Sequence, residues 1–290
     1  MARLAATRNE ASLVAETPRP RPFLKWAGGK GQLLAQLRPL LPAPESFRRY
    51  FEPFAGGAAL FFALKPKRAV LADVNAELID CYTAARDEVD AVIEALGQYR
   101  YGADHYYRAR EIDPQTLPPA ERAARTIYLN RTGYNGLYRV NRAGKFNVPM
   151  GRYTNPLLCD ATNLKACSKA LKNVDLRVAD FEAVAARARE GDFVYFDPPY
   201  VPVSDTADFT SYVPGGFGSE QQRRLAGVFA SLAERGVHAM LSNSDTPAVR
   251  QLYRGLRIHR VLASRHINSR GSLRGKVGEV VVTTYPARRI

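Results

Sequence analysis

The sequence predicts an α/β fold, a mostly parallel sheet with helices on both faces, interrupted once by a smaller insert. Three observations predict it. Short apolar runs alternate with helix-length segments on either side of one stretch. One of those runs, Asp192-Phe-Val-Tyr-Phe196, is almost continuously apolar, as in a strand buried on both faces. The stretch from 87 to 160 has a different texture, rich in Tyr and Arg, with a Pro118-Pro119 break and a Gly/Asn centre.

The elements follow in order. Residues 1–17 are small and polar without a period, and Pro18-Arg-Pro-Arg-Pro22 reads as a stiff, extended lead-in, so 1–20 is expected to be disordered. Gln32 to Leu37 reads as helical. Tyr50 to Phe54 is a short buried strand, Ala55-Gly-Gly57 a glycine turn, and Ala58 to Leu64 the start of a helix. Arg68 to Asp73 is a second strand, ending in an acid, and Asn75 to Arg86 a helix. In the insert, Leu137 to Asn141 and Lys145 to Val148 flank Arg-Ala-Gly144, a hairpin signal with Gly144 able to turn left-handed. The α/β pattern then resumes with strands at 175–180 and 192–196, an amphipathic helix at 221–235, and strands at 237–242, 258–262 and 279–285.

Composition bounds the function. The 290 residues contain 46% hydrophobic side chains, enough for a full core, and no apolar run of membrane-spanning length. Lys and Arg number 42 against 28 acids, a formal charge of +14. From His105 to Arg152 there are nine Lys/Arg and three acids, and from Arg254 to Ile290 nine and one. Such a surplus suits an anionic partner, although plain solvated basic faces have the same composition. The three cysteines, Cys81, Cys159 and Cys167, form no C-x-x-C pair, which argues against a metal. With no apolar leader they fit a reducing, cytoplasmic setting. No feature calls for an obligate protein partner.

Sheets of this kind bind ligands at the carboxyl ends of their strands. Asp197-Pro-Pro-Tyr200 directly follows the most buried run. The prolines Pro198 and Pro199 fix the backbone and remove two amide donors. Asp197 and the carbonyl of Pro198 are then two acceptors, and Tyr200 is a flat face with a polar tip. Together they suit a planar group carrying an amine. In Phe51-Glu-Pro-Phe-Ala-Gly-Gly57, glycines between strand and helix allow close approach of a ligand. Asp73, 17 residues past Gly56, stands where nucleotide-binding sheets place a ribose-hydroxyl acceptor. A dinucleotide site is the alternative for these pieces, but the G-x-G-x-x-G spacing is absent. Lys25-Trp-Ala-Gly-Gly-Lys30 adds a cation suited to a carboxylate.

These segments resemble, in sequence and in order, the Dam-type DNA adenine-N6 methyltransferases. The resemblance runs from residue 22 to 286 and also takes in Asn130-Arg-Thr-Gly-Tyr-Asn-Gly-Leu-Tyr-Arg139, Gly144 to Tyr153, Asp208-Phe-Thr-Ser-Tyr212 and Leu241-Ser-Asn-Ser-Asp245. It implies a Rossmann-like sheet that uses S-adenosylmethionine, carrying an inserted, mainly helical target-recognition domain with a β-hairpin. The implied division is a catalytic domain at 21–86 and 161–290 and a recognition domain at 87–160. It implies cofactor contacts for Trp26, Lys30, Phe54, Gly56, Asp73, Asp180, Phe181 and Asp197. Asp197, Pro198, Pro199 and Tyr200 would hold a flipped adenine. Double-stranded DNA would meet Lys25, Tyr134, Asn135, Leu137, Arg139, Pro149, Arg152 and Tyr153, with Tyr134 wedged into the gap. Arg139 and Asn141 alternate onto one hairpin face, and an Arg in the major groove prefers guanine. The target implied is GATC. The readings kept beside it are a different or longer target, a cytosine-N4 or RNA methyltransferase, and a DNA-binding module lacking catalysis. Arg265, Arg270, Arg274 and Lys276, around Ile267-Asn-Ser-Arg-Gly271, are expected to contact phosphates.

Overall fold

A computed structural model of the protein describes residues 18–201, 217–264 and 276–287. Their strands are β1 (Tyr50–Glu52), β2 (Ala69–Asp73), β3 (Val174–Val178), β4 (Phe193–Phe196), β5 (His238–Ser244), β6 (Arg257–Ser264) and β7 (Lys276–Thr283). They form one sheet in the order β3-β2-β1-β4-β5-β7-β6. The first five pair in parallel, while β7 runs antiparallel between β5 and β6. The chain leaves β1 toward β2 and β3, then crosses back to place β4 on the other side of β1. That reversal opens a crevice at the carboxyl ends of β1 and β4.

Alternation explains why these segments pair as they do. Tyr50, Leu71, Phe193, Tyr195 and Met240 belong to the core on one face. Phe51, Val70, Ala72, Val194, Phe196 and Leu241 belong to the core on the other. Side chains of period two thus fill both faces, and every residue of β4 is buried. The expected helices at the sheet are α1 (Leu34–Leu37), α2 (Ala59–Leu64), α3 (Ala76–Asp87) and α9 (Ser219–Glu234). Asn75 caps α3 by accepting the Leu78 N–H at 3.1 Å. α7 (Ala161–Leu171), α8 (Phe181–Ala185) and α10 (Pro247–Leu252) were not foreseen.

The insert contributes α4 (Val89–Gly97), α5 (Ala103–Glu111) and α6 (Pro119–Thr132). The Pro118-Pro119 break is the start of α6, with Pro119 in its first turn. Tyr106, Ile127, Tyr128 and Val148 join the core of the first sheet face, so the insert shares that core. The hairpin is shorter than expected. Val140 pairs with Phe146 as one antiparallel bridge, and Gly144 is left-handed at φ 74°. Asn141 limits the ladder because its Oδ1 accepts the N–H groups of Ala143 and Lys145, each at 3.0 Å. The expected disorder of residues 1–17, the Asp208–Tyr212 motif, Ile267–Gly271, Arg265, Arg270 and Arg274 lie outside the described residues. No described helix is long and apolar enough to cross a membrane.

One buried amide joins the N-terminal segment to the insert. Asn130 Oδ1 accepts the Lys25 N–H at 2.8 Å, and its Nδ2 donates to the carbonyls of Lys25 (2.8 Å) and Gly136 (3.1 Å). Asn130→Ala strands those backbone groups in the interior. The expected cost is about 2–4 kcal/mol, read as a lower denaturation midpoint at unchanged m-value. A loss under about 0.5 kcal/mol would mean that the contact is not made.

Candidate active site

Two clusters form at the carboxyl ends of the central strands. The first follows β4. Lys30, in a short turn after Gly28 and Gly29, is buried. Its Nζ donates to the Gly28 carbonyl at 2.5 Å and lies 2.6 Å from Asp197 Oδ1. It also sits 4.6 Å from the centre of the Tyr200 ring, a cation–π distance. Burial pushes the Asp197 carboxyl up to about 6, with the Lys30 ammonium opposing that rise and Glu279 adding to it. Tyr200 donates its hydroxyl to Glu279 Oε2 at 2.8 Å. The Pro199 carbonyl accepts from Gln222 Nε2 at 2.9 Å. The Pro198 carbonyl accepts no hydrogen bond from the described residues. An acid, a carbonyl with no hydrogen bond among the described residues and an aromatic ring therefore stand together.

The second cluster joins β1 and β2. Gly56 N–H donates to Asp73 Oδ2 at 3.1 Å, and the Asn75 N–H donates to Asp73 Oδ1 at 3.0 Å. Burial raises the Asp73 pKa, while these backbone donors oppose the rise. Gly56 has φ 45°, and a Cβ there would come within 2.6 Å of Trp26 Cδ1. Any side chain would therefore displace the indole, so glycine is required. The Trp26 ring stacks on Tyr138 of the hairpin, with centroids 5.5 Å apart. Beside Asp73, Val74 exposes an apolar side chain.

Phe181 is largely covered. Its ring stacks on Phe54 at 5.4 Å, and the Arg224 guanidinium lies 4.4 Å from it. Asp180 caps α8 through the Glu182 N–H at 3.0 Å and pairs with Arg224.

The residues expected at DNA gather around the end of α6. The bridge between Gly133 and Met150 sets Tyr134, Asn135, Leu137 and Arg139 beside Pro149, Arg152 and Tyr153. Tyr134 is exposed, and Asn135 holds a left-handed φ of 55°. Arg139 is exposed, with Nε donating to Asn147 Oδ1 at 2.8 Å. Tyr153 is fixed by donating its hydroxyl to the Gly133 carbonyl at 3.0 Å, and Lys25 Nζ lies 4.7 Å from its ring centre. Arg152 and Tyr153 line a cleft of about 470 Å³ with Tyr101 and Tyr107.

Sequence reasoning passed over three groups here. Glu279 and Val74 carried no motif signal. Glu52 sits inside the Phe51–Gly57 motif, where its position predicts only a strand. It is buried, accepts the Tyr50 hydroxyl at 2.8 Å, and is pushed up to about 8 by desolvation.

A sheet of this order, with a glycine turn and acid at β1 and β2 and an acid–aromatic tetrapeptide after β4, defines an S-adenosylmethionine-dependent methyltransferase fold. The profile of the D12 class N6 adenine-specific DNA methyltransferases matches residues 26–267, and the chain belongs to that family. It is 45% identical to the type II methyltransferase M1.LlaDCHI of Lactococcus lactis subsp. cremoris, over 91% of this chain and 95% of that one. It is 41% identical to the type II methyltransferase M.MjaIII of Methanocaldococcus jannaschii, over 91% and 99%. It is 38% identical to the DNA adenine methylase of Escherichia coli K12, over 92% and 96%.

Glu52 has a measurable consequence for stability. Its pKa rises from an ordinary 4.5 to about 8 on folding, so between those values the folded state holds a proton that the unfolded state has lost. Stability from this group is present below pH 4.5 and is lost as the pH rises through about 8. Glu52→Gln keeps the acceptor for Tyr50 without the charge. It should therefore gain stability relative to the parent between pH 5 and pH 8 in paired denaturation curves, and a constant difference across that range would contradict the shift.

Proposed function

We propose that this DNA adenine-N6 methyltransferase acts on GATC in duplex DNA after turning the target adenine out of the helix. The observation that carries the reading is the Asp197 carboxylate beside the Pro198 carbonyl, which accepts no hydrogen bond among the described residues, next to the Tyr200 ring. The lone pair of the adenine amine is delocalised into the ring, which makes it a poor nucleophile. Two acceptors on its two hydrogens pull the nitrogen toward tetrahedral geometry and return the lone pair to it. Tyr200 stacks on the base and fixes its plane. The acceleration is then mainly one of positioning. In a duplex one hydrogen of the adenine amine is held by thymine and the ring faces are stacked, so the base must leave the stack to give both hydrogens to these acceptors and its face to Tyr200.

S-adenosylmethionine, when bound, supplies an electrophilic methyl group on its sulfonium. The chain's residues suit it. The close glycine turn at Gly56, the acceptor Asp73 and the aromatic residues Trp26, Phe54 and Phe181 offer what a nucleoside requires. Lys30 would be the cation for its carboxylate, and Asp180 would lie near its adenine.

For the duplex, Tyr134 is the wedge and Asn135 braces the distorted backbone. Arg139 reads guanine, Leu137 and Pro149 meet a thymine methyl, Tyr153 reads a base edge, Lys25 reaches an outer base, and Arg152 lies beside them. The Arg139, Pro149 and Tyr153 set resembles that of GATC-specific family members. The type II names of two relatives favour a second reading, in which the enzyme protects a restriction target.

Transfer from labelled cofactor to duplexes with and without GATC tests the target. Label at adenine in GATC duplexes alone is expected, and equal label in both would discard GATC while leaving the activity. Asp197→Ala should slow transfer by roughly 100-fold or more with DNA affinity retained. Arg139→Ala should cost about 1–3 kcal/mol of discrimination at the guanine position. Because transfer needs Asp197 ionised, kcat/KM should fall as pH drops below about 6.

A further inference from the structure

The tetrapeptide is gripped from behind by a polar network on elements far from it in sequence. Gln222 of α9, and Asn243 and Ser244 at the end of β5, are all buried. Gln222 Nε2 donates to the Pro199 carbonyl at 2.9 Å, while its Oε1 accepts from Asn243 Nδ2 at 3.0 Å. Asn243 Oδ1 in turn accepts the N–H groups of Val201 (3.3 Å) and Ser244 (2.9 Å). Ser244 Oγ donates to the Val201 carbonyl at 2.7 Å. The backbone of Pro199 and Val201 is thus held by side chains of α9 and β5. The prolines at 198 and 199 cannot donate, so the loop has no ladder of its own to fix its direction. With the backbone on either side of Tyr200 tied down, the peptide that carries the Pro198 carbonyl has little freedom to turn.

We infer that Gln222 and Asn243, with Ser244, are positioning residues for methyl transfer: they set the aim of the Pro198 carbonyl and of Tyr200 by holding the backbone of Pro199 and Val201. None of them touches the base, and the inference rests on the Asp197–Tyr200 reading given above. The polarity of the chain is fixed. Gln222 must donate to Pro199 and accept from Asn243 at the same time, and a neutral carboxylic acid can do both, whereas a carboxylate cannot donate. A glutamate at 222 is therefore a pH-dependent replacement, since burial raises its pKa.

The test is single-turnover methyl transfer, normalised to sites titrated by cofactor binding, in parent, Gln222→Met, Gln222→Glu and Ser244→Ala. Gln222→Met should slow the step by about 10- to 100-fold, with cofactor and DNA dissociation constants moved less than about threefold. Ser244→Ala, which keeps the amide pair, should lose less than Gln222→Met. Gln222→Glu should approach the parent rate near pH 6 and lose it on raising the pH, a limb that Gln222→Met lacks. A merely structural role would lower melting temperature and active fraction while leaving the per-site rate intact, and that result overturns the inference. A pH profile of Gln222→Glu parallel to that of Gln222→Met also overturns it. Asp197→Ala in the same assay separates the two ideas: if it keeps the parent rate, the tetrapeptide reading itself fails.

Discussion

The buried pair of Lys30 and Asp197 is the contact on which the site depends. Only 4% of the lysine side chain and 19% of the aspartate are exposed, so neither charge is solvated well. Desolvation alone would favour a neutral carboxyl, which offers a donor where an amine needs an acceptor. The ammonium at 2.6 Å opposes that rise, and the carboxyl stays ionised at neutral pH. Removing one partner of such a pair typically costs about 3–5 kcal/mol, because the other is left buried and uncompensated. The pair also anchors the N-terminal turn across the end of β4.

Its location follows from the sheet. β1, β4 and nearly all of β2 and β5 are buried, and the acids and amides of the site lie where these strands stop. Glu52 ends β1, Asp73 ends β2, Asp197 follows β4, and Asn243 with Ser244 ends β5. Two of the contacts that tie the insert to the same end of the sheet involve the N-terminal segment. Asn130 holds the backbone of Lys25, and Trp26 stacks on Tyr138 while covering Gly56. The segment carrying Lys25, Trp26 and Lys30 therefore touches the hairpin, the glycine turn and the tetrapeptide together.

Much of this was legible from the chain because the signals are local. A continuous apolar run marks β4, an acid closes β2, and two prolines mark a loop that cannot pair. Glycines mark the turns at Gly56 and Gly144. What was not legible depends on distant partners. Gln222 reads as one polar position on an amphipathic helix until α9 brings it to Pro199. Glu279 reads as a solvent-facing strand residue until β7 packs beside β5 and delivers it to the Tyr200 hydroxyl. Asn130 opens a family motif, but its bond to Lys25 shows only when α6 meets the N-terminal segment. The hairpin is shorter than alternation predicts, and alternation cannot reveal that Asn141 turns its side chain onto the loop. The short helices α8 and α10 have too few residues for a helical period to stand out.

The central claim is that the Asp197 carboxylate and the Pro198 carbonyl together hold the adenine amine outside the duplex. A structure of the enzyme with a GATC duplex and a non-reactive cofactor analogue tests it most directly. The account predicts an unstacked adenine lying on Tyr200, its amine within hydrogen-bond distance of both acceptors. An adenine still paired in the duplex, or one bound with its amine turned away from both acceptors, would contradict it.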